Sequence, residues 1–139
     1  MTLTSSALLI LQLTGQLAPA SQLQPPIVVN GDFNGDGAVD TATLRVASSR
    51  LLLRIQRGGS NPGPAQDLTF GIDPTMQAAI CALPATLEVR PAGCGPDDEP
   101  LPGCKPLPEA SDLILSGGDC DAISLYWNHD TDEMDWWRL

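Results

Sequence analysis

The chain is poor in positive charge, in histidine and in aromatic rings. Lys and Arg total seven against 17 Asp and Glu, a formal net charge of −10. So acidic a composition argues against nucleic acid and anionic membrane surfaces as partners and favours a basic protein. The single histidine, His129, lies in a polar turn beside Asp130 and Asp132. G-x-S-x-G, H-E-x-x-H and a phosphate-cradling glycine loop are all missing. No catalytic residue is therefore assigned, and the expectation is a protein that is not an enzyme. No C-x₂-C pair occurs, which argues against zinc. Nor is there a run long enough to span a membrane. The most apolar stretch is interrupted by Gln12, Thr14, Gly15 and Gln16.

What is present begins with residues 1–20, which carry no charged side chain. Ala7-Leu8-Leu9-Ile10-Leu11 forms an apolar centre, and Ala18-Pro19-Ala20 has the small-residue pattern of a cleavage site. The segment reads as a secretory signal peptide cut after Ala20, although no Lys or Arg precedes its apolar centre. One domain over residues 21–139 would remain, exported to the periplasm or secreted. The four cysteines fit that compartment as two disulfides. Three pairings are open, and Cys94–Cys104 with Cys81–Cys120 is favoured. The first would clip the Pro/Gly loop between them, which has little means of packing itself.

The patterning is that of strands. Ile27-Val28-Val29, Thr41–Val46, Leu51–Gln56, Asp67–Ile72, Ala85–Arg90, Asp112–Ser116, Ala122–Trp127 and the end from Met134 alternate or are β-branched. Asp73-Pro74 followed by Thr75–Ile80 carries a helix-start signature, so one short helix is expected there. The fold class expected is all-β, a compact antiparallel sandwich or open barrel.

Oxygen-bearing side chains are spaced most regularly between residues 32 and 40. Asp32, Asn34, Asp36 and Asp40 occupy relative positions 1, 3, 5 and 9, with Gly37 at position 6. Ca²⁺ takes about six to eight oxygens, and such a loop presents alternate side chains inward with a backbone carbonyl at position 7, here Ala38. Gly37 would permit the sharp turn. The expected ligands are Asp32, Asn34, Asp36, Asp40 and the Ala38 carbonyl.

Over these nine positions the loop resembles that of the EF-hand. It then departs, with Thr43 in place of a bidentate glutamate and a strand in place of a helix. A D-x-N-x-D-G-x-x-D loop running into a strand looks like the FG-GAP or VCBS-type repeats of secreted bacterial proteins. That resemblance implies a calcium site closed by Asp40 and an aromatic, Phe33, in the core. A small exported domain with such a loop and disulfides is also similar to periplasmic lysozyme-inhibitor and immunity proteins. These act by placing a short loop in the cleft of a peptidoglycan hydrolase. Ser116-Gly117-Gly118-Asp119 is the nearest equivalent here, and a basic cell-wall hydrolase would suit the charge.

Tyr126, Trp127, Trp136 and Trp137 crowd the last strands. Neighbours on a strand face opposite ways, so Trp136 and Trp137 cannot both be core. They close the core as a cross-strand pair or, with Tyr126 and Trp136, form a partner surface. The alternative function is then a structural or carbohydrate-binding module using these rings.

Overall fold

Strict alternation of buried and exposed positions shapes the central strands. In Asp40–Ala47 every second residue is buried, and in Arg50–Gln56 Leu51, Leu53 and Ile55 face in while Leu52 and Arg54 face out. The computed structural model describes residues 24–95 and 99–138. The expected signal segment, residues 1–20, lies outside the described residues.

The strands are β1 (Ile27–Gly31), β2 (Asp40–Ala47), β3 (Arg50–Gln56), β4 (Gln66–Ile72), β5 (Ala79–Ile80), β6 (Thr86–Pro91), β7 (Ser111–Ser116), β8 (Ile123–Asn128) and β9 (Glu133–Trp137). The first five form one sheet in sequence order, antiparallel except for the β4–β5 pair. The last four form a second antiparallel sheet, also in sequence order. The two sheets make a β-sandwich, as the alternation predicts. Between them lie Leu44, Leu51, Leu53, Ile55 and Phe70 from one side and Leu87, Leu113, Leu115, Ile123 and Leu125 from the other, all buried. Burying each such side chain contributes about 1.5–3 kcal/mol.

One expected element differs. Asp73–Ile80 forms no helix. The Asp73 carboxylate accepts from the Thr75 N–H (2.8 Å) and hydroxyl (2.7 Å), closing a local turn. Ala79 and Ile80 are both buried and pair with Gly71 and Ile72 as β5. Burial of that dipeptide outweighs the helix-start signal, which has only the exposed residues 74–77 to propagate through.

Side chains rather than ladders tie the sheets together at their edges. The Gln24 carboxamide donates to the Ala85 carbonyl (2.6 Å) and accepts from its N–H (2.7 Å). On the opposite edge Gln66 does the same to Met134, at 2.9 and 2.8 Å. Each glutamine mimics one residue of a strand and satisfies two backbone groups of the facing sheet edge.

Both favoured disulfides are present. Cys81–Cys120 and Cys94–Cys104 each have a Cα–Cα separation of 5.6 Å. Two disulfides and no free cysteine mark a protein of an oxidising compartment. Among the described residues no helix is long and apolar enough to cross a membrane.

Candidate functional site

The loop between β1 and β2 is built from Asx turns, in which a side-chain oxygen accepts from an N–H two or more residues on. The Asp36 N–H is shared between Asp32 Oδ1 and Asn34 Oδ1, both at 3.1 Å. The Gly37 N–H donates to Asp32 Oδ2 at 2.8 Å, and the Ala38 N–H to Asp36 Oδ1 at 2.8 Å. Asn34 Nδ2 donates to Asp36 Oδ2 at 3.0 Å. The Ala38 bond, helped by Asn34, holds the Asp36 carboxyl below the usual carboxylate range. Gly37, at φ 88°, makes the turn that brings these groups round. Asp32, Asn34 and Asp36 therefore accept from the successive N–H groups of residues 36–38, and each accepting oxygen keeps a second lone pair.

Asp40 is placed differently. It is fully buried. Its Oδ2 accepts from the Phe33 N–H at 2.8 Å and its Oδ1 from the Gly58 N–H at 2.9 Å. It thereby staples the start of the loop to the segment after β3. Asp36 is exposed and Asp32 half-buried, and both bond to N–H groups of the loop itself, whereas Asp40 bonds to Phe33 and Gly58. Among the described residues no group of three or more His, Cys, Asp or Glu side chains is placed to hold a metal ion. The donor chemistry of Asp32, Asn34, Asp36 and the Ala38 carbonyl fits a hard cation. Asp40, as it stands, serves the loop from behind. Phe33 is buried in the core. The Asp32 carbonyl accepts from the Ser111 N–H at 2.8 Å, which ties the loop to the second sheet as well.

The turn Ser116–Asp119 lies beside the Cys81–Cys120 bridge. The Gly117 carbonyl accepts from the Cys81 N–H at 3.0 Å. Gly117 is buried, and a Cβ there would come within 2.4 Å of the Ala82 carbonyl oxygen. It is a packing glycine and presents nothing to a partner. Gly118 and Asp119 are exposed at the tip, with Ser116 half-buried.

The expected aromatic surface is rearranged. Tyr126 points to the outer face of the second sheet yet is 2 % exposed. The end of the loop before Cys104 lies against it: the Tyr126 hydroxyl donates to the Pro102 carbonyl (3.0 Å), and the His129 N–H donates to the Gly103 carbonyl (2.8 Å). Burial and the neighbouring Asp135 carboxylate push the Tyr126 hydroxyl up to about 12. Trp136 turns inward and meets Phe70 edge-on, ring centres 6.1 Å apart. Neither ring is free to anchor a partner. Trp137 is the tryptophan that faces out.

Sequence reasoning missed what surrounds Trp137. Register aligns Glu88, Ile114, Ser124 and Trp137 in one row across β6 to β9. The small Ser124 between two bulky neighbours leaves a groove of about 450 Å³, walled by Arg90, Gly93 and Asp112. Strand alternation told that one of Trp136 and Trp137 faces out, but the row needs the register of four strands. A second hollow, about 170 Å³, lies at the end of the sandwich and is lined by Ile55, Arg57 and Trp127. There Arg57 lies over the Trp127 ring at 5.8 Å and pairs with Asp132 at 3.0 Å.

No family model, characterised protein or solved structure matches this chain.

Proposed function

We propose that this is a periplasmic or secreted binding protein, stabilised by Ca²⁺, that inhibits or gives immunity to a basic peptidoglycan hydrolase. The observation that carries the reading is the exposed Gly118–Asp119 tip, anchored by Gly117 against Ala82 and clipped by Cys81–Cys120. A short tip held in this way loses little entropy on entering a cleft, which favours inhibition. The net charge of −10 supports a basic partner by steering encounter. Calcium would be held by Asp32, Asn34, Asp36 and the Ala38 carbonyl, with Asp40 anchoring the loop. A sugar-binding face made of the C-terminal rings has less support, since Tyr126 is covered and Trp136 faces in.

The test is turbidity clearing of a peptidoglycan suspension by a panel of basic lysozymes and by hydrolases encoded beside this gene, with Ca²⁺ present. Protection is expected with at least one enzyme. Asp119→Ala should weaken it about tenfold or more without changing the melting temperature, the scale of one lost charge-assisted contact. Failure to protect against any enzyme at micromolar excess would overturn the reading.

A further inference from the structure

The groove beside Trp137 has two chemically distinct parts. Its floor is apolar, made by Ile114 on β7 and the Trp137 indole on β9, with Ser124 on β8 between them. Ile114 and Trp137 are two strand spacings apart, about 9.5 Å between backbones, enough to admit one elongated side chain between them. At one end stands Asp112 on β7. Its Oδ2 accepts from the Gly93 N–H at 2.8 Å. Its other oxygen accepts no hydrogen bond among the described residues, and no cation there forms an ion pair with it.

None of the charged groups around Asp112 forms an ion pair with it among the described residues. Arg90 stands opposite on β6, but its guanidinium lies 3.7 Å from Glu88, two residues back on the same strand. Tyr126 on β8 is neutral at physiological pH, and its cross-strand partner Asp135 on β9 carries the same sign as Asp112. Burial pushes the Asp112 carboxyl up to about 6, partly offset by the Gly93 N–H. At neutral pH the chain thus keeps a partly desolvated carboxylate that forms no ion pair, at the end of an apolar slot, with the nearby Arg90 turned to Glu88.

A lysine or arginine side chain has the complementary layout. Its stem lies along apolar surface while its head seeks an anion, and its cation is further stabilised over an indole. We propose that this groove is the anchor pocket for a lysine or arginine side chain of the protein partner, with the stem over Ile114 and Trp137 and the cationic head on Asp112. This rests on the reading of a basic protein partner given above and deepens it. It adds a second contact on the outer face of the four-stranded sheet, separate from the Ser116–Asp119 tip.

The test is an NMR titration of the full exported domain at pH 7.5 with Nα-acetyl-lysine amide, Nα-acetyl-arginine amide and, as the uncharged control, Nα-acetyl-norleucine amide. Saturable shifts of the Trp137 indole N–H and the Gly93 amide are expected with the two cations and not with norleucine. Asp112→Asn keeps an acceptor for the Gly93 N–H but loses the charge, and should weaken binding about tenfold. Lowering the pH through about 6 should weaken it in the same way, because the carboxyl becomes neutral. Trp137→Leu should weaken arginine more than lysine, because the guanidinium stacks on the indole.

Stability gives a second readout. A carboxyl raised in the folded state binds its proton more tightly there than in the unfolded chain. Its penalty is therefore present above about 6 and is relieved as the pH falls toward the unfolded value of 3.8. Asp112→Asn should accordingly raise the melting temperature at pH 7.5 and leave it unchanged near pH 3.8.

No shift at Trp137 or Gly93 with either cation, equal shifts with norleucine, or undiminished binding by Asp112→Asn would overturn the pocket. So would shifts there with the neutral sugar chitotriose and none with the cations. The functional reading fails separately. If the cations bind here but no hydrolase is inhibited, the pocket stands and the hydrolase target falls. If a hydrolase is inhibited equally by the wild type, Asp112→Asn and Trp137→Leu, the target stands and the pocket falls.

Discussion

Asp40→Ala is expected to cost about 2–4 kcal/mol of stability, because it strands the buried Phe33 N–H and the half-buried Gly58 N–H, both of which donate to Asp40. For a domain of this size that is roughly a 10–15 °C fall in melting temperature. The loss should not be confined to the loop. Phe33 is part of the core, and the next residue back, Asp32, accepts from Ser111 at the start of β7. Releasing the staple therefore loosens the contact between the two sheets as well. Asp40→Asn, which keeps one acceptor and turns an NH₂ toward the other donor, should fall between wild type and alanine. Thermal melts followed by far- and near-ultraviolet circular dichroism decide the matter. A loss under about 0.5 kcal/mol for Asp40→Ala would mean that water or another acceptor reaches those two N–H groups, and the staple would be wrong.

Removing the Cys81–Cys120 bridge is expected to have an effect of similar size by a different route. The bridge closes a separation of 39 residues, and the chain-entropy model gives it about 4 kcal/mol. The Cys94–Cys104 bridge, closing only 10 residues, is worth about 3 kcal/mol in the same model. The two should also differ in what they disturb. Cys81→Ala with Cys120→Ala frees the end of the Ser116–Asp119 turn, so hydrolase protection should fall as well as stability. Cys94→Ala with Cys104→Ala loosens the loop over Tyr126, which should expose the ring and shift its fluorescence. Urea unfolding of the two double variants, read beside the turbidity assay, separates these outcomes. Unchanged protection after loss of Cys81–Cys120, at a temperature where the variant is folded, would count against a preorganised tip.

Much of the sandwich could be read from residues alone, because two-residue alternation is a local signal. Leu51-Leu52-Leu53-Arg54-Ile55 shows where the line lies. The run is nearly all apolar, yet Arg54 and the partner strand's Arg45, opposite Leu52, fix which side is out. The short β5 was hidden because a buried dipeptide pairing with a strand next to it has no period to detect. The covering of Tyr126 was hidden for another reason. A Pro/Gly loop carries no packing signal of its own, and it covers the ring through the backbone carbonyl of Pro102. In the loop from Asp32 to Asp40, spacing marked the oxygen-bearing residues, and the turn brings Asp32, Asn34 and Asp36 within hydrogen-bond reach of one another's segment. Spacing could not tell that Asp40, the last of them, faces inward to two backbone donors, since ligand and staple demand the same residue type. The groove at Trp137 depends on four strands being in register, and so on long-range pairing that no local pattern encodes.

The loop from Asp32 to Asp40 is proposed above as a cation site that stabilises the scaffold. Isothermal titration calorimetry of the chelator-treated protein with CaCl₂ tests this directly, paired with melting curves at each concentration. The expected result is one Ca²⁺ per chain and a melting temperature that rises with free Ca²⁺, since a ligand bound only by the folded state stabilises it by mass action. Asp36→Ala, whose exposed carboxylate makes only local bonds, should abolish both effects while leaving the apo protein folded. Equal heats for the wild type and Asp36→Ala, or a wild-type melting temperature indifferent to millimolar Ca²⁺, would contradict it.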